Sequence, residues 1–323
     1  MSIYFAVSSG DIKQIGKALL EINPFWFLGS MACFFVHAFM EGFIPYTYFR
    51  LQKIRARLRD CVRVGLVGMY YSSITPAATG GQPMQVYSLK KKGIGAGISS
   101  SALAVKFFCW QLSVLLLGAG LWITHPALVS VHMREAVWLL PIGFFANGIA
   151  VAAVLLLSFA RNLVRAIIIL IVSILARLRI VKDKAATASR MDAALDDFMT
   201  SVNAVKRNFS HFFIMFVLSV VQVLALMSAI YFIYRGLGLN EQSYPKILTI
   251  QLMLFIAASF TPLPGASGAQ EGGFYLFFKP FFMDGQIFAA MFLWRFVTYY
   301  LSIICGFIAV ISDNSNKERE NLK

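Results

Sequence analysis

Seven apolar stretches, joined by short connections that carry most of the basic residues, leave this chain few ways to fold. Five of them are long enough and clean enough to span a bilayer as helices: Pro24–Phe49, Gly97–Thr124, Ala136–Ala160, His211–Tyr234 and Gln286–Ile311. A crossing helix needs about 20 mostly apolar residues. The other two, Val62–Leu89 and Ile247–Phe282, are interrupted by Pro and Gly clusters at Thr75-Pro76 and at Thr261-Pro262-Leu263-Pro264-Gly265. No continuous helix passes such a cluster without losing backbone hydrogen bonds. Each is therefore expected to be two half-helices folded back on each other, a re-entrant hairpin. Hydrophobic residues make up 59% of the 323 and charged residues 14%. Soluble domains have about 45–50% and about 25%, so lipid is the expected solvent for most of the surface.

The net charge of +14 would suit nucleic acid if it formed one face, but it does not. Arg50–Arg63 holds six basic residues, Lys90–Lys92 three, Arg161–Arg207 nine and the segment after Ile311 three. Only six, Lys13, Lys17, Arg134, Arg235, Lys246 and Lys279, fall in the alternate connections. Basic loops stay cytoplasmic, so the N-terminus is expected outside and the C-terminus in the cytoplasm of a multi-pass inner-membrane protein. Leu163–Leu178 is apolar but short and basic at both ends, which favours a helix lying along the interface. The stripe Met191, Leu195, Phe198, Val202 and Val205 then marks an amphipathic cytosolic helix. At the other end, Ile3–Val7 resembles the last turn of a helix whose start is missing, followed by a short amphipathic segment, Asp11–Ile22. Cys33, Cys61, Cys109 and Cys305 show neither a disulfide nor a metal spacing, and no cofactor, metal or nucleic acid is expected.

The two interrupted stretches resemble each other. Ser73-Ile74-Thr75-Pro76 recurs as Ser259-Phe260-Thr261-Pro262 at an offset of 186, Tyr87 as Tyr275 at 188, and Lys106 as Arg295 at 189. With three crossings between them the second copy is inverted. The expected fold is an all-α polytopic membrane bundle, one domain over 1–323, with two broken-helix hairpins in an inverted repeat. Residues 1–124 form the first half, 125–209 a linking span with interfacial and cytosolic helices, 210–311 the second half, and 312–323 a cytosolic tail. Inverted repeats with broken helices near the midplane are a transporter architecture.

Candidate site residues follow from that placement. Lys106 and Arg295 are cations inside apolar helices, which costs about 2.5–3.5 kcal/mol on insertion scales. Each is read either as an ion-paired or snorkelling residue or as a phosphate ligand between the hairpins. Thr75, Gly80, Gly81, Gln82 and Gln85 in the first motif would line the path. Thr261, Gly265, Gly268, Gln270 and Glu271 would do so in the second, with half-helix N-termini favouring an anion. His37 and Glu41, one turn apart, are either a proton relay or a counter-charge for Lys106 or Arg295. No catalytic constellation is present: there is no GxSxG, HExxH or P-loop sequence.

The run Ser73-Ile74-Thr75-Pro76-Ala77-Ala78-Thr79-Gly80-Gly81-Gln82-Pro83, with Tyr87 and Lys90–Gly93, resembles the transmembrane, flippase-like region of lysylphosphatidylglycerol synthases. The second motif, Pro262–Gly268 with Glu271, fits the same family, and the similarity runs from about Asp11 to Ile311. The resemblance implies movement of an aminoacylated or other phospholipid, or of a polyprenyl-linked lipid, between leaflets. Full-length relatives carry a soluble synthase domain after this region. With twelve residues following Ile311, the expectation is that the chain does not make the lipid by itself. The partners so implied are an anionic membrane phospholipid and a lipid-modifying synthase or glycosyltransferase, with self-association left open. In a competing reading the chain is an accessory subunit that presents lipid to such an enzyme and docks it on the Met191–Val205 stripe.

Overall fold

The computed structural model describes residues 16, 20–132, 137–177, 184–259, 261–283 and 286–321. Ile3–Val7 and most of Asp11–Ile22 lie outside them. Among the described residues the secondary structure is helical throughout, with no strand. In chain order the helices are α1 (Pro24–Leu51), α2 (Leu58–Ile74), α3 (Gly81–Lys91), α4 (Ala96–Thr124), α5 (Pro126–His132), α6 (Leu139–Phe159) and α7 (Arg161–Arg177). They continue as α8 (Lys184–Arg207), α9 (Phe209–Gly236), α10 (Tyr244–Ala258), α11 (Ala269–Phe278), α12 (Gln286–Arg295) and α13 (Leu301–Asn321). A π-helical turn, Phe296–Tyr300, joins α12 to α13.

Five segments are long and apolar enough to cross a membrane: Pro24–Leu51, Ala96–Thr124, Leu139–Leu156, Phe209–Gly236 and Gln286–Ser312. They match the five expected spans. Their outward faces carry large apolar side chains, such as Phe145 at 71% and Phe213 at 53% exposure. Water would not tolerate so many, and a bilayer makes them favourable. The protein is thus a polytopic helical membrane protein.

Both Pro-containing clusters break their helices. Between α2 and α3 the chain makes a 3-10 turn at Pro76–Ala78, and between α10 and α11 another at Pro264–Ala266. After the first, α3 returns along α2, where Gly81 lies on Ser72 and Gln85 on Gly68. After the second, Gly273 of α11 lies on Leu254 of α10. The two turns are 188 residues apart, so Pro76 corresponds to Pro264 rather than to Pro262, the partner suggested by the Ser-x-Thr-Pro match. The approach to the second turn is simply longer.

The packing has the same two-fold character. Helices α1, α2, α3 and α4 correspond to α9, α10, α11 and the α12–α13 rod. Contacts α1·α2, α2·α3, α3·α4 and α1·α4 recur as α9·α10, α10·α11, α11·α12 and α9·α12, and α2·α13 recurs as α10·α4. The pairs α1·α9 and turn-on-turn map onto themselves and lie on the pseudo-axis. Between α1 and α9 Ser30 Oγ donates to the carbonyl of Ala229 at 3.0 Å. Small residues allow close approach within and between the halves: Gly42 on α1 sits against the Cys61–Val62 backbone of α2, and Gly306 on α13 against Leu66 and Tyr70 of the other half. Such small-residue crossings replace the hydrophobic drive that lipid removes.

Helix α6 stands outside the repeat and packs on α4 and α10. Helix α7 has 17 residues and is not among the five spanning segments. It leaves Leu163, Ile169 and Leu170 exposed, and Arg165 pairs with Asp192 of α8 at 3.0 Å. The stripe of α8 is covered by this chain itself. Of its residues Leu195, Val202 and Val205 are buried, Met191 and Phe198 are half-buried, and α8 packs against α4 and α7. Gln52 Nε2 also donates to the Ser201 carbonyl at 3.1 Å. Most of the stripe offered for docking in the accessory reading thus packs inside this chain.

Candidate functional site

The two 3-10 turns meet, and local chemistry shapes each. Thr75 Oγ1 donates to the Tyr71 carbonyl at 2.6 Å and accepts the Gly80 N–H at 2.9 Å, closing the first tip. Ala77 and Ala78 adopt φ of 50° and 56°, and Gly265 and Ala266 adopt 61° and 49°. These pairs occupy corresponding positions. A left-handed alanine costs roughly 1–2 kcal/mol, and such strain persists where surrounding structure over-determines it, often at functional sites. Across the axis the Ala77 N–H donates to the Pro262 carbonyl at 3.0 Å, and Tyr299 Oη donates to the Ser73 carbonyl at 3.1 Å. The repeat extends one turn further: Lys91 lies over the Tyr87 ring at 3.9 Å and Lys279 over the Tyr275 ring at 5.5 Å.

In the second motif Glu271 and Arg295 brace each other, at 3% and 4% exposure. Arg295 Nε donates to Glu271 Oε1 at 2.8 Å, and an Nη donates to the Gly265 carbonyl at 3.0 Å. Glu271 Oε2 accepts the Gly268 N–H at 2.7 Å, capping α11. The positive end of that half-helix is thus met by the chain's own carboxylate, where the sequence suggested a free anion site. The guanidinium carbon is 5.2 Å from the Tyr299 ring centre, a cation–π contact.

The first motif has a different counter-charge. Glu41 of α1 forms an ion pair with Lys106 of α4, resolving the choice between Lys106 and Arg295 as its partner. Gln85 Nε2 donates to Glu41 Oε1 at 3.1 Å, and Gln222 Nε2 donates to Oε2 at 2.8 Å. One carboxylate so ties α1, α3, α4 and α9 together. His37 Nδ1 lies 3.4 Å from the Gln222 carbonyl, with its ring edge-on to Trp110. Gln222 therefore stands between the imidazole and the carboxylate.

A cavity of about 590 Å³ opens where the tips meet. Ala77 and Ala78 line it from one tip, Thr261, Leu263, Gly265 and Ala266 from the other, and Gln270, Arg295 and Tyr299 beside them. Of the expected site residues, Thr261, Gly265, Gln270 and Arg295 border this space. Gly268 and Glu271 hold Arg295 in place. Thr75, Gly80 and Gly81 build the first tip, where no side chain fits at Gly81 beside Ser72 and the Gly68 carbonyl. Gln82 is exposed on α3. His37, Glu41, Gln85 and Lys106 form a separate cluster in which Gln85 and Lys106 are buried and His37 and Glu41 half-buried.

Sequence reasoning missed a set of amides. Gln111 Nε2 donates to Asn147 Oδ1 at 2.8 Å, and Asn147 Nδ2 donates to Ser259 Oγ at 2.7 Å. This chain of bonds crosses from α4 through α6 to the second tip on the cavity wall. Gln251 lines the same wall. The available signal was a lone amide inside an otherwise apolar run, costly in lipid and so rarely idle.

Two related halves, with broken helices meeting at a largely apolar cavity that one buried arginine borders, define a polytopic helical membrane protein with an internal repeat. Residues 1–306 match the family described as the lysylphosphatidylglycerol synthase TM region, and the chain belongs to that family. A search of the curated proteins finds no match.

Proposed function

We propose that this protein is a lipid translocase that passes a phosphate-bearing headgroup between leaflets through the cavity at the meeting of the two tips. Membership of the family is consistent with a lipid-related role in the membrane. The observation that carries the reading is Arg295. It is a cation at 4% exposure on the cavity wall, fixed by Glu271 and the Gly265 carbonyl through two of its donors. Guanidinium has five N–H donors in a planar fork, and three remain to grip a phosphate. Lys106 is held by Glu41 and does not border the cavity, so the phosphate role falls to Arg295. Acyl chains stay in the bilayer beside the exposed apolar faces of the bundle.

In this reading the two broken helices are re-entrant hairpins, entering from the cytoplasm in the first half and from outside in the second. Three spanning-length helices, α4, α6 and α9, separate them, which inverts the second copy while α7 lies along the cytoplasmic interface. The N-terminus is outside and the C-terminus cytoplasmic in the inner membrane.

Leaflet exchange of fluorescent phospholipids in proteoliposomes tests the proposal. Wild type is expected to exchange lipid. Arg295→Ala is expected to lose it, and Arg295→Lys to lose most of it because a point charge cannot reproduce the fork. Absence of exchange by well-folded wild type across anionic, zwitterionic and polyprenyl phosphate lipids would sink the translocase reading.

A further inference from the structure

Helices α1 and α9 end in the same way. After α1 the N–H groups of Gln52, Lys53 and Ile54 donate to the carbonyls of Tyr48, Arg50 and Phe49. After α9 those of Leu237, Gly238 and Leu239 donate to the carbonyls of Ile233, Arg235 and Tyr234, each 185 residues further on. The left-handed position is held by Gly238 at φ 82° in the second half and by Lys53 at φ 58° in the first. Glycine is the usual residue there because a Cβ is penalised. Lys53 carries that penalty, so closing the helix is not what favours a lysine.

The chain from Lys53 into α2 has two faces. Lys53, Arg55, Arg57 and Arg59 are exposed, whereas Ile54, Ala56 and Leu58 are half-buried. Ile54 and Ala56 pack on the core around Tyr48, Phe49 and Leu89. Extended backbone sets side chains of one face about 6.6 Å apart, so the cations form a row. Among the described residues no carboxylate pairs with Arg55, Arg57 or Arg59. Lys92 pairs with Asp60 at 3.6 Å, which brings exposed Lys90 and Lys91 to the same end. The equivalent connection, residues 237–243, has no basic residue and carries Glu241. Closing a half therefore requires none of these charges.

Depth identifies what the row meets. Helix α1 has 28 residues, about 42 Å, which matches a bilayer with its headgroups at about 40–45 Å. The row follows that helix directly and so lies in the headgroup layer. Tyr87, 49% exposed, sits under Lys91, and exposed aromatic side chains mark the same layer. The anions of that layer are phosphates, which guanidinium grips in pairs of hydrogen bonds.

We propose that Lys53, Arg55, Arg57 and Arg59, with Lys90 and Lys91 beside them, form a docking face for anionic phospholipid headgroups at the membrane surface. The face is separated from the cavity between the tips by the length of α2, 17 residues or about 25 Å. It does not depend on the translocase reading.

Binding of fluorescent phosphatidylglycerol and fluorescent phosphatidylcholine to the purified full chain in detergent tests it. Wild type is expected to prefer phosphatidylglycerol, by a margin that shrinks as salt rises. Arg55→Gln/Arg57→Gln/Arg59→Gln should weaken phosphatidylglycerol about a hundredfold, at roughly fivefold per charge, and spare phosphatidylcholine. Arg55→Lys/Arg57→Lys/Arg59→Lys keeps the charge that orients a loop but loses the fork, and should fall between the two. Lys53→Gly should weaken phosphatidylglycerol about fivefold while raising the melting temperature. A lysine with a merely structural role would not give those opposite signs. Wild-type affinity in the glutamine triple variant, or no preference for phosphatidylglycerol in wild type, overturns the proposal. So does tight binding of oligoglutamate without a lipid preference, which would assign the face to an acidic protein segment.

Discussion

The backbone N–H of Ala77 donates to the carbonyl of Pro262, 3.0 Å away, so the tip of one half is hydrogen-bonded directly to the tip of the other. The bond is available because Ala77 takes a left-handed conformation, turning its amide outward from the α2–α3 hairpin. Strain and contact arise together at the pseudo-axis.

Relief of that strain should be measurable. Ala78→Gly removes the Cβ penalty at φ 56° and is expected to stabilise by about 0.5–1 kcal/mol after the entropic cost of glycine. Gly265→Ala should do the opposite. Its Cβ would run into the Tyr299 ring, costing about 1–3 kcal/mol and displacing the Tyr299–Ser73 bond. Thermal melts in detergent read both signs; stabilisation by Gly265→Ala would contradict the geometry.

The largely desolvated pair Glu41–Lys106, with side chains 17% and 9% exposed, predicts non-additive losses. Glu41→Gln or Lys106→Met alone leaves a charge without its partner and should cost about 3–5 kcal/mol. The double variant should recover most of this, since both charges go together. A double-mutant cycle on thermal stability gives the coupling directly, and additive losses would show that the ion pair does not form.

The hairpins solve the same packing problem in opposite ways. In the first, glycine is on the leading helix and the long residue on the returning one, Gly68 against Gln85; in the second, Leu254 meets Gly273. Gly68→Leu alone should overpack by about 1–3 kcal/mol. Adding Gln85→Gly should restore much of the packing but not the Gln85–Glu41 bond. Recovery in the double variant, seen as a raised melting temperature over Gly68→Leu, checks the exchange; a further fall would refute it.

Orientation is open to labelling. In a background with the four native cysteines replaced, Lys91→Cys and Asn240→Cys lie on exposed positions at opposite expected ends. An impermeant maleimide added to intact cells should label Asn240→Cys and spare Lys91→Cys until the membrane is opened. The reverse pattern would invert the proposed topology.

The spanning helices were legible because an apolar run of that length has one stable solution in lipid. Both breaks were legible from Pro76 and from Pro262-Leu263-Pro264, for the same backbone reason. The π turn after Arg295 and the short helix Pro126–His132 were not, since each depends on neighbouring packing rather than on local sequence. At the site, Lys106 and Arg295 stood out as charges in apolar helices, but their partners did not. Glu41 was 65 residues from Lys106 in sequence, and only the fold could choose between two cations. Gln111, Asn147 and Gln251 passed unnoticed because an uncharged amide scarcely perturbs hydropathy, while its cost when buried depends on what surrounds it.

The two carboxylate–cation pairs formed by Lys106 and Arg295 each belong wholly to one half: Glu41 and Lys106 to the first, Glu271 and Arg295 to the second. Rocking one half against the other would therefore carry each positive group along with its negative one. The protein would move no net gating charge at these positions. A membrane potential does about 2.3 kcal/mol of work per elementary charge per 100 mV, and at these pairs that work would cancel. Voltage would then act on the charge of the passenger alone, so the electrical response of transport would report the valence of the cargo.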